Sequence, residues 1–358
     1  MIFGSFEAQI SPNFLLHRRD MASLHAPITV VNNAFMRGGE GPPTALVIGN
    51  FDGVHRGHQA VLRAASRRAA EMQLEPALLT FSPHPSEVLG RGAPPLLTTV
   101  TRRSELVVPL GIRHVFVRDF DVEFAAWSPD RFAHDLLAQA LRAKLVVVGT
   151  NFRFAVNRSG DFAALKRLGD AHGFEVLEAA LTGDNEGPFS STRVRSALFG
   201  GDINEANSVL GHRHSIDGVV AHGAKRGRLI GFPTANLEQI DELLPSDGVY
   251  AVLVDEITDR GPVAIAPGVM NIGVRPTVPT PTGASSKRTV EVHLLNTDRD
   301  LYGARLRAYF VARLRNEQKF PSLGALKQAI AQDALAAARA TSSINPVAGA
   351  FDDRSTLK

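Results

Sequence analysis

Two kinds of pattern follow one another along the chain, and the change between them limits the fold more than any other feature. From Thr44 to about Leu181, short apolar runs alternate with segments of helical periodicity. This alternation predicts a parallel sheet with helices on both faces. From His214 to Arg315, apolar runs are separated by Gly- and Pro-containing turns with little helix between them, which predicts an antiparallel barrel or sandwich. We therefore expect two domains of different classes, and 358 residues suffice for two cores.

The same patterns place the domain boundaries. We predict an N-terminal extension over 1–30, an α/β domain over 31–197, a linker helix over 198–211 that is interrupted by Gly200-Gly201, a barrel domain over 212–340 and a loose tail over 341–358. The barrel domain is expected to end in a helix from Ser322 to Ala340, because apolar residues recur there at helical spacing.

Composition excludes several classes of function. A net charge of +3 is small for this length, so we expect no nucleic-acid partner. No apolar run approaches the roughly 18–20 residues that span a bilayer, and the first residues do not resemble a secretory signal. The absence of Cys excludes thiolate chemistry and fits a reducing compartment. We expect a cytoplasmic protein without a membrane partner, a monomer or weak homo-oligomer, that acts on small molecules.

The stretch TALVIGNFDGVHRGH at 44–58 carries the densest chemistry in the first half. A predicted strand ends at Gly49, and a predicted helix starts at Gln59. A strand, a turn and a helix start present backbone N–H groups and a positive dipole end to a phosphate. His55 and His58 lie where that phosphate would bind, and imidazoles can stabilise the charge that grows there. The alternative is two surface histidines in a loop.

Polar residues also follow other predicted parallel strands. The sequence SPHP at 82–85 follows the second strand, and GTNFRFAVNRSGD at 149–161 follows the Val-rich one. Because ligands of such sheets bind at the carboxyl ends of the strands, these segments predict one site. The aromatic and Arg residues of 149–161 can stack on a planar ring and hold phosphates, or its Phe residues are simply core. The segment SSTRVR at 190–195 predicts a helix N-terminus that binds an anion, or a plain Ser/Thr cap.

The predicted barrel has a dense stretch of its own, HGAKRGRLIGFPTAN at 222–236. Its glycines and basic residues suit phosphates. Thr234 and Asn236 face the same way on a strand, and their oxygens suit Mg²⁺. Glu291 alternates with apolar residues on a predicted strand; a carboxylate aimed into a barrel mouth could accept a proton from a substrate hydroxyl. The alternatives are a basic surface loop and a solvent-facing Glu.

Together these stretches resemble the prokaryotic bifunctional riboflavin kinase/FAD synthetase family over roughly residues 44–340. GNFDGVHRGH, TFSPHP, the Asn-Phe-Arg-Phe loop and SSTRVR are similar to its adenylyltransferase half. RGRLIGFPTAN, NIGVRPTV and VEVHLLN are similar to its kinase half. The resemblance implies an α/β nucleotidyltransferase domain with a Rossmann-like parallel sheet, followed by an antiparallel β-barrel kinase domain with a C-terminal helix.

For the kinase half, the resemblance implies transfer of the γ-phosphate of ATP to riboflavin, which gives FMN. Thr234 and Asn236 would bind the Mg²⁺–ATP phosphates, and Glu291 would be the general base. The nucleotide contacts implied there are Gly223, Gly227, Arg228, Gly231, Phe232 and Pro233.

For the other half, the resemblance implies attack of the FMN phosphate on a second ATP, which gives FAD and pyrophosphate. His55 and His58 would stabilise the α-phosphate in the transition state. The nucleotide contacts implied are Gly49, Asn50, Phe51, Asp52, Gly53, Gly57, Ser191, Thr192 and Arg193. The flavin contacts implied are Phe81, His84, Asn151 and Arg158.

Two departures from the family pattern concern flavin contacts. Asn296-Thr297 stands where Asp-Phe is expected, and Ala155 stands where Gly is frequent. Two rival interpretations remain. One is another His-x-Gly-His nucleotidyltransferase, which would need no second phosphate site. The other is a flavin-binding sensor that has lost catalysis.

Overall fold

The computed structural model describes residues 29–32, 41–180, 182–221, 231–274, 288–297 and 299–344. They form two compact units, which we describe separately. The first contains the residues up to Pro94 together with Val100–Phe189, and the second contains Pro95–Thr99 and the residues from Ser190 onward.

The first unit is built on a six-stranded parallel sheet. Its strands are β1 (Thr29–Asn32), β2 (Thr44–Ile48), β3 (Glu75–Ser82), β4 (His114–Asp119), β5 (Ala143–Gly149) and β6 (Glu175–Ala179). They lie in the order β1-β4-β3-β2-β5-β6, and every neighbouring pair is parallel. The chain thus proceeds from β2 toward β4 on one side and toward β6 on the other. The point where this direction changes lies between β2 and β5.

Helices link these strands. They are α1 (Arg56–Glu71), α2 (Pro85–Val88), α3 (Val100–Val107), α4 (Val122–Ala125), α5 (Pro129–Arg131) and α6 (Phe162–His172). Helix α5 continues as a π-helix over Phe132–Ala140, and 3-10 turns cover Val108–Leu110 and Val156–Arg158. A ribbon of β7 (Gly183–Asp184) and β8 (Gly187–Pro188) completes the unit. All five residues of β2 are buried, as expected for a strand covered on both faces.

The second unit is a closed antiparallel barrel. Its helices are α7 (Ser191–Gly200), α8 (Ile203–Leu210) and α9 (Leu323–Thr341). Its strands are β9 (Ser215–Ala221), β10 (Ala235–Glu238), β11 (Gly248–Thr258), β12 (Gly261–Val274), β13 (Arg288–Leu294) and β14 (Arg305–Arg315). The strands close in the order β10-β13-β12-β11-β14-β9. The fold class predicted for both halves is therefore confirmed. None of the helices described above is long and apolar enough to cross a membrane.

One of two notable helix boundaries differs from the prediction. Helix α1 begins at Arg56 rather than Gln59, because the side chain of His55 caps it. The predicted interruption at Gly200-Gly201 is present, since Gly201 ends α7 with φ 74° and the Asp202 carboxylate accepts the Glu205 N–H at 2.9 Å to begin α8.

The segment Pro95–Thr99 belongs to the second unit although its neighbours in sequence belong to the first. The N–H of Leu243 donates to the carbonyl of Leu96 at 2.6 Å, and Nε of Arg195 donates to the carbonyl of Pro95 at 2.8 Å. Leu97 is buried as well. This short segment is therefore an integral part of the second unit.

The second unit also buries a group of charges. Arg307 donates to both carboxylate oxygens of Asp217 at 2.6 and 2.8 Å. Glu242 accepts the backbone N–H of Asp217 at 3.2 Å, while its other carboxylate oxygen is buried and has no hydrogen-bond partner within the described structure. Burial, and then the nearby Asp217 carboxylate, raises the pKa of Glu242 to about 7. Glu242 is thus a buried acid that titrates near neutral pH.

Candidate functional sites

The loop between β2 and α1 lies at the point where the strand order reverses, where parallel sheets bind their ligands. It is sharply turned, because Phe51, Gly53 and Val54 all have positive φ, at 50°, 83° and 41°. Val54 is β-branched, so its left-handed conformation is strained. Strain of this kind persists only where the surroundings enforce it, and it marks the loop as a candidate site.

The two predicted histidines are brought together at the start of α1. Nδ1 of His55 accepts the backbone N–H of His58 at 3.3 Å, so His55 caps the helix. The two rings stack with centroids 3.6 Å apart, and the His58 ring also lies 4.6 Å from that of Phe51. A methyl group on Gly57 would lie 3.1 Å from the His55 ring and 3.3 Å from the carbonyl oxygen of Phe189. Gly57 therefore permits this close packing, and His58 belongs to a helix rather than a loop.

His58 is held neutral by its surroundings. Burial lowers the pKa of His58 well below its usual range, and the neighbouring His55 ring and Arg103 guanidinium lower it further. Its Nδ1 is buried without a hydrogen-bond partner among the described residues. Because a buried N–H without a partner is costly, we expect the proton on Nε2. The ring can then donate one hydrogen bond to a ligand.

A buried polar network lies beneath this loop. The guanidinium of Arg103 lies 3.7 Å from the Asp52 carboxylate and donates to the Thr80 hydroxyl at 2.8 Å. The Thr80 hydroxyl donates to the carbonyl of Asn50 at 3.1 Å. The amide of Asn50 is 2.7 Å from Nε2 of His84, whose Nδ1 accepts the Ser86 N–H and begins α2. The network connects three segments of the first unit and fixes the ends of β2 and β3.

Sequence reasoning missed Arg103 and Thr80. Arg103 stands in a predicted helix next to Arg102, and paired arginines in a helix normally indicate a solvated face. Both are buried here. No local signal pointed to this pair, because Asp52 has Arg56 four residues away in sequence and its actual partner lies 51 residues away.

The predicted flavin contacts lie at the carboxyl ends of β3 and β5, which flank β2 in the sheet. Phe81 is the penultimate residue of β3 and packs edge-on against Phe120, with ring centroids 5.8 Å apart. Asn151 and Arg158 are exposed in the loop after β5.

The loop after β5 also shows whether its Phe residues are free to stack on a ligand or belong to the core. Phe154 is buried in the core, and Phe152 stacks on it at 5.5 Å. Phe154 and Gly160 exchange backbone hydrogen bonds at 3.1 and 3.0 Å, which closes the loop. Ala155 has φ 63° and ψ −175°, a region that is essentially restricted to glycine. These two Phe residues are therefore core, and Ala155 keeps the conformation of a glycine.

The SSTRVR segment begins α7, as predicted. Ser190 caps the helix by accepting the Arg193 N–H at 3.2 Å. Nε of Arg193 donates to the Glu205 carboxylate at 2.5 Å, Ser191 is half-buried and Thr192 is exposed. Ser191, Thr192 and Arg193 belong to the second unit. Their role as nucleotide contacts stays a prediction.

In the barrel, the predicted kinase residues lie on the outer face. Asn236 on β10 is directly opposite Glu291 on β13. Val290, Val292 and Leu294 fill the interior, so Glu291 points away from it. The expectation that Glu291 points into the barrel mouth is wrong, because the period-two alternation assigns the interior to the apolar residues.

The residues around Asn236 complete this outer face. Thr234 lies two residues before Asn236 and is half-buried. His293 lies two residues after Glu291; its Nδ1 is 2.8 Å from the carbonyl of Pro233, and its ring packs edge-on against Phe232 at 5.5 Å. Gly231 has φ 89°. The other assigned contacts, Gly223, Gly227 and Arg228, lie outside the described residues.

The donor set near β10 suits a hard cation. Among the described residues, no group of three or more His, Asp or Glu side chains is arranged to hold a metal ion alone. A hydroxyl at Thr234 and an amide oxygen at Asn236 are nevertheless the few protein ligands that Mg²⁺ takes when phosphates and waters supply the rest. The residues present therefore fit Mg²⁺ bound together with a nucleotide.

Comparison with known proteins matches the two units separately. The family model for FAD synthetase matches residues 40–193, and the family model for riboflavin kinase matches residues 210–341. An Escherichia coli (strain K12) protein named bifunctional riboflavin kinase/FMN adenylyltransferase is 40% identical over 293 residues, which cover 82% of this chain and 91% of the relative. A Pseudomonas fluorescens protein of the same name is 40% identical over 294 residues, with the same coverage.

A solved structure also shares the fold. A Streptococcus pneumoniae protein named macrolide-efflux protein superposes with a TM-score of 0.73 at 29% identity, covering 86% of this chain and 97% of that one. The sequence matches extend through both halves of the chain. The chain therefore belongs to the family of bifunctional riboflavin kinases/FMN adenylyltransferases.

Proposed function

We propose that the C-terminal half phosphorylates riboflavin with ATP and that the N-terminal half adenylylates the resulting FMN with a second ATP, giving FAD and pyrophosphate. The observation that supports the proposal is the presence of two polar clusters in two separate units. One is the histidine pair at the start of α1, and the other is the Asn236–Glu291 pair across β10 and β13. A single nucleotidyltransferase would not need the second.

In the kinase half, Glu291 is the general base that accepts the proton of the terminal hydroxyl of the riboflavin side chain as that oxygen attacks the γ-phosphorus of ATP. The neighbouring Asn236 and Thr234 would hold Mg²⁺, which when bound neutralises charge on the phosphate oxygens. Phe232 and Pro233 are placed beside these groups by the contacts of His293. The protein thus contributes alignment and a proton acceptor.

In the adenylyltransferase half, a phosphate oxygen of FMN attacks the α-phosphorus of ATP, and pyrophosphate leaves. His58 donates a hydrogen bond from Nε2 to the α-phosphate as its charge grows. The N-terminus of α1 adds its dipole. A neutral imidazole suits this role because it donates without having to lose a proton. No covalent intermediate is needed, since alignment and charge stabilisation suffice.

The remaining assignments are part of the same proposal. Ser191, Thr192 and Arg193 bind the triphosphate, and Phe81, His84, Asn151 and Arg158 contact the flavin. His84 is supported by its contact with Asn50, which places it beside the loop that carries His55. ATP as the shared substrate and a chain without Cys favour a cytoplasmic enzyme.

The deciding experiment is chromatography of the products after incubation of the purified protein with riboflavin, ATP and Mg²⁺. We expect FMN to appear first and FAD to follow. FMN alone would contradict the role of the N-terminal half. No flavin product, even when FMN is supplied, would favour a different nucleotidyltransferase or a flavin sensor.

A further inference from the structure

The outer face of the barrel carries a polar row that the chemistry above does not fully use. Asn236, Glu291 and Asn271 are direct cross-strand partners on β10, β13 and β12. Side chains paired in this way point to the same face, with Cβ atoms about 4.5–5.5 Å apart. Asn271 therefore stands beside Glu291 on the side opposite Asn236.

Glu317 is fixed against this row. Nδ2 of Asn271 donates to Oε1 of Glu317 at 3.1 Å. The Glu317 carboxylate also lies directly on Gly273, where a methyl group would overlap it. Gly273 is two residues after Asn271, so both face outward on β12. Because Gly273 has no side chain, the Glu317 carboxylate can contact the strand at this position, beside Asn271.

The backbone that carries Glu317 is held at the end of β14, just before it. Arg315, two residues earlier, forms a forked ion pair with Asp333 of α9, with Nε–Oδ1 and Nη2–Oδ2 distances of 3.0 and 2.8 Å. Arg315 is also in register with Val249, which in turn is opposite Asn271. Glu317 therefore extends from an anchored position rather than from a long free segment.

We propose that Asn271 and Glu317 bind the internal hydroxyls of the sugar-alcohol chain of riboflavin and thereby position its terminal hydroxyl at Glu291. This inference rests on the proposed kinase function. Neither side chain is cationic, so the pair does not suit a phosphate. A carboxylate accepts hydrogen bonds from hydroxyls, and an amide both donates and accepts, which is the pattern that a neutral polyol requires.

The spacing agrees with this role. Glu291 and the position of Gly273 are diagonal neighbours across β13 and β12, and such neighbours are about 7–8 Å apart. A chain of several hydroxylated carbons bridges that distance, whereas a single hydroxyl group does not. The pair would thus act on specificity for the sugar-alcohol part of the substrate rather than on its flavin ring.

The test compares Glu317→Gln and Asn271→Ala with Asp259→Asn, an exposed turn residue of the same unit whose change removes the same charge as Glu317→Gln. The readouts are the KM for riboflavin, the KM for ATP, and fluorescence-detected binding of lumiflavin, which has the ring but not the sugar-alcohol chain. We expect Glu317→Gln to raise the KM for riboflavin about tenfold, the loss expected for a hydrogen bond to a charged group, and Asn271→Ala to raise it about fivefold, the loss expected for a hydrogen bond to a neutral group. The KM for ATP and the affinity for lumiflavin should not change, and Asp259→Asn should behave like the unaltered chain.

Two results would overturn the inference while leaving the proposed function intact. One is riboflavin phosphorylation with an unchanged KM in both variants. The other is an equal loss of riboflavin and lumiflavin binding, which would place the pair at the ring or give it a structural role. If the unaltered chain does not phosphorylate riboflavin, the proposed kinase function itself fails, and the inference fails with it.

Discussion

At the scale of single residues, Ala155 is the clearest case of strain in the first unit. Its φ of 63° and ψ of −175° form a combination that costs a non-glycine residue about 1–3 kcal/mol. The loop around it is closed by the Phe154–Gly160 hydrogen bonds, so the backbone has little freedom to relax. The chain thus tolerates a methyl group at a position shaped for glycine.

We predict that Ala155→Gly raises the free energy of unfolding by about 1 kcal/mol, because relief of strain outweighs the loss of a half-buried methyl group. Urea denaturation followed by circular dichroism measures it. The matched control is Ala126→Gly, at an exposed position with φ −88°, where glycine should cost about 0.5–1 kcal/mol. Equal effects at both positions would contradict the strain at Ala155.

Glu242 predicts a pH dependence of stability. Its folded pKa of about 7 lies above the unfolded value of about 4.3, so the folded state binds more protons between these values. The stabilisation from the protonated form is complete below about pH 4 and is lost as pH rises through 7. The difference is on the order of 3 kcal/mol.

We therefore expect Glu242→Gln to raise the free energy of unfolding by about 3 kcal/mol at pH 8 and by only about 1 kcal/mol at pH 5. Urea titrations at several pH values between 5 and 8 measure the effect. Glu238→Gln, at an exposed position of the same unit, should stay within about 0.5 kcal/mol of the unaltered chain at every pH. A gain for Glu242→Gln that does not vary with pH would rule out titration of Glu242 as its cause.

At the scale of elements, the Asp52–Arg103 pair connects the loop after β2 to α3. Both side chains are buried, and Arg103 also holds the Thr80 hydroxyl at the end of β3. Removing one member of a buried pair leaves an uncompensated charge, which is costly. The pair therefore determines how firmly the histidine loop is held.

Arg103→Met should lower the free energy of unfolding by about 3 kcal/mol and reduce FMN adenylylation more than riboflavin phosphorylation. Adding Asp52→Asn should recover part of the stability, because the unpaired carboxylate is then removed. Arg68→Met, in the exposed Arg68–Glu71 pair, is the control and should cost under about 1 kcal/mol. Denaturation and separate assays of the two reactions measure these effects, and equal losses from Arg103→Met and Arg68→Met would contradict the importance of burial.

The elements themselves could be predicted because their signals are local. The apolar run Thr44–Ile48 and the Val-rich run before Gly149 are strands as predicted, and Ser322 caps the last helix. The start of α1 was missed because histidine is an unusual cap, and its role depends on a side-chain hydrogen bond. Arg103 and Glu242 were missed because their partners are distant in sequence. A charged residue that is buried by tertiary packing produces no periodic pattern in the sequence from which its burial could be predicted.

At the scale of the whole molecule, the two chemistries should be separable. We predict that Glu291→Gln abolishes riboflavin phosphorylation while FMN adenylylation persists, because glutamine cannot accept the proton. His58→Ala should do the reverse and let FMN accumulate, because the donor to the α-phosphate is lost. Assays with riboflavin and with FMN as separate substrates measure both. Parallel loss of both activities in a folded variant would contradict one chemistry per unit.

The segment Pro95–Thr99 has a consequence for any attempt to dissect the enzyme. Because these residues pair with Leu243 and Arg195, the second unit is assembled from two separate pieces of polypeptide. A protein expressed from residue 190 onward would lack one of those pieces and expose Leu243 at the gap. Loss of kinase activity in such a fragment would therefore not demonstrate dependence on the adenylyltransferase. A fragment that reproduces the complete second unit must also contain Pro95–Thr99, supplied either as a separate peptide or by joining these five residues to the fragment in the gene.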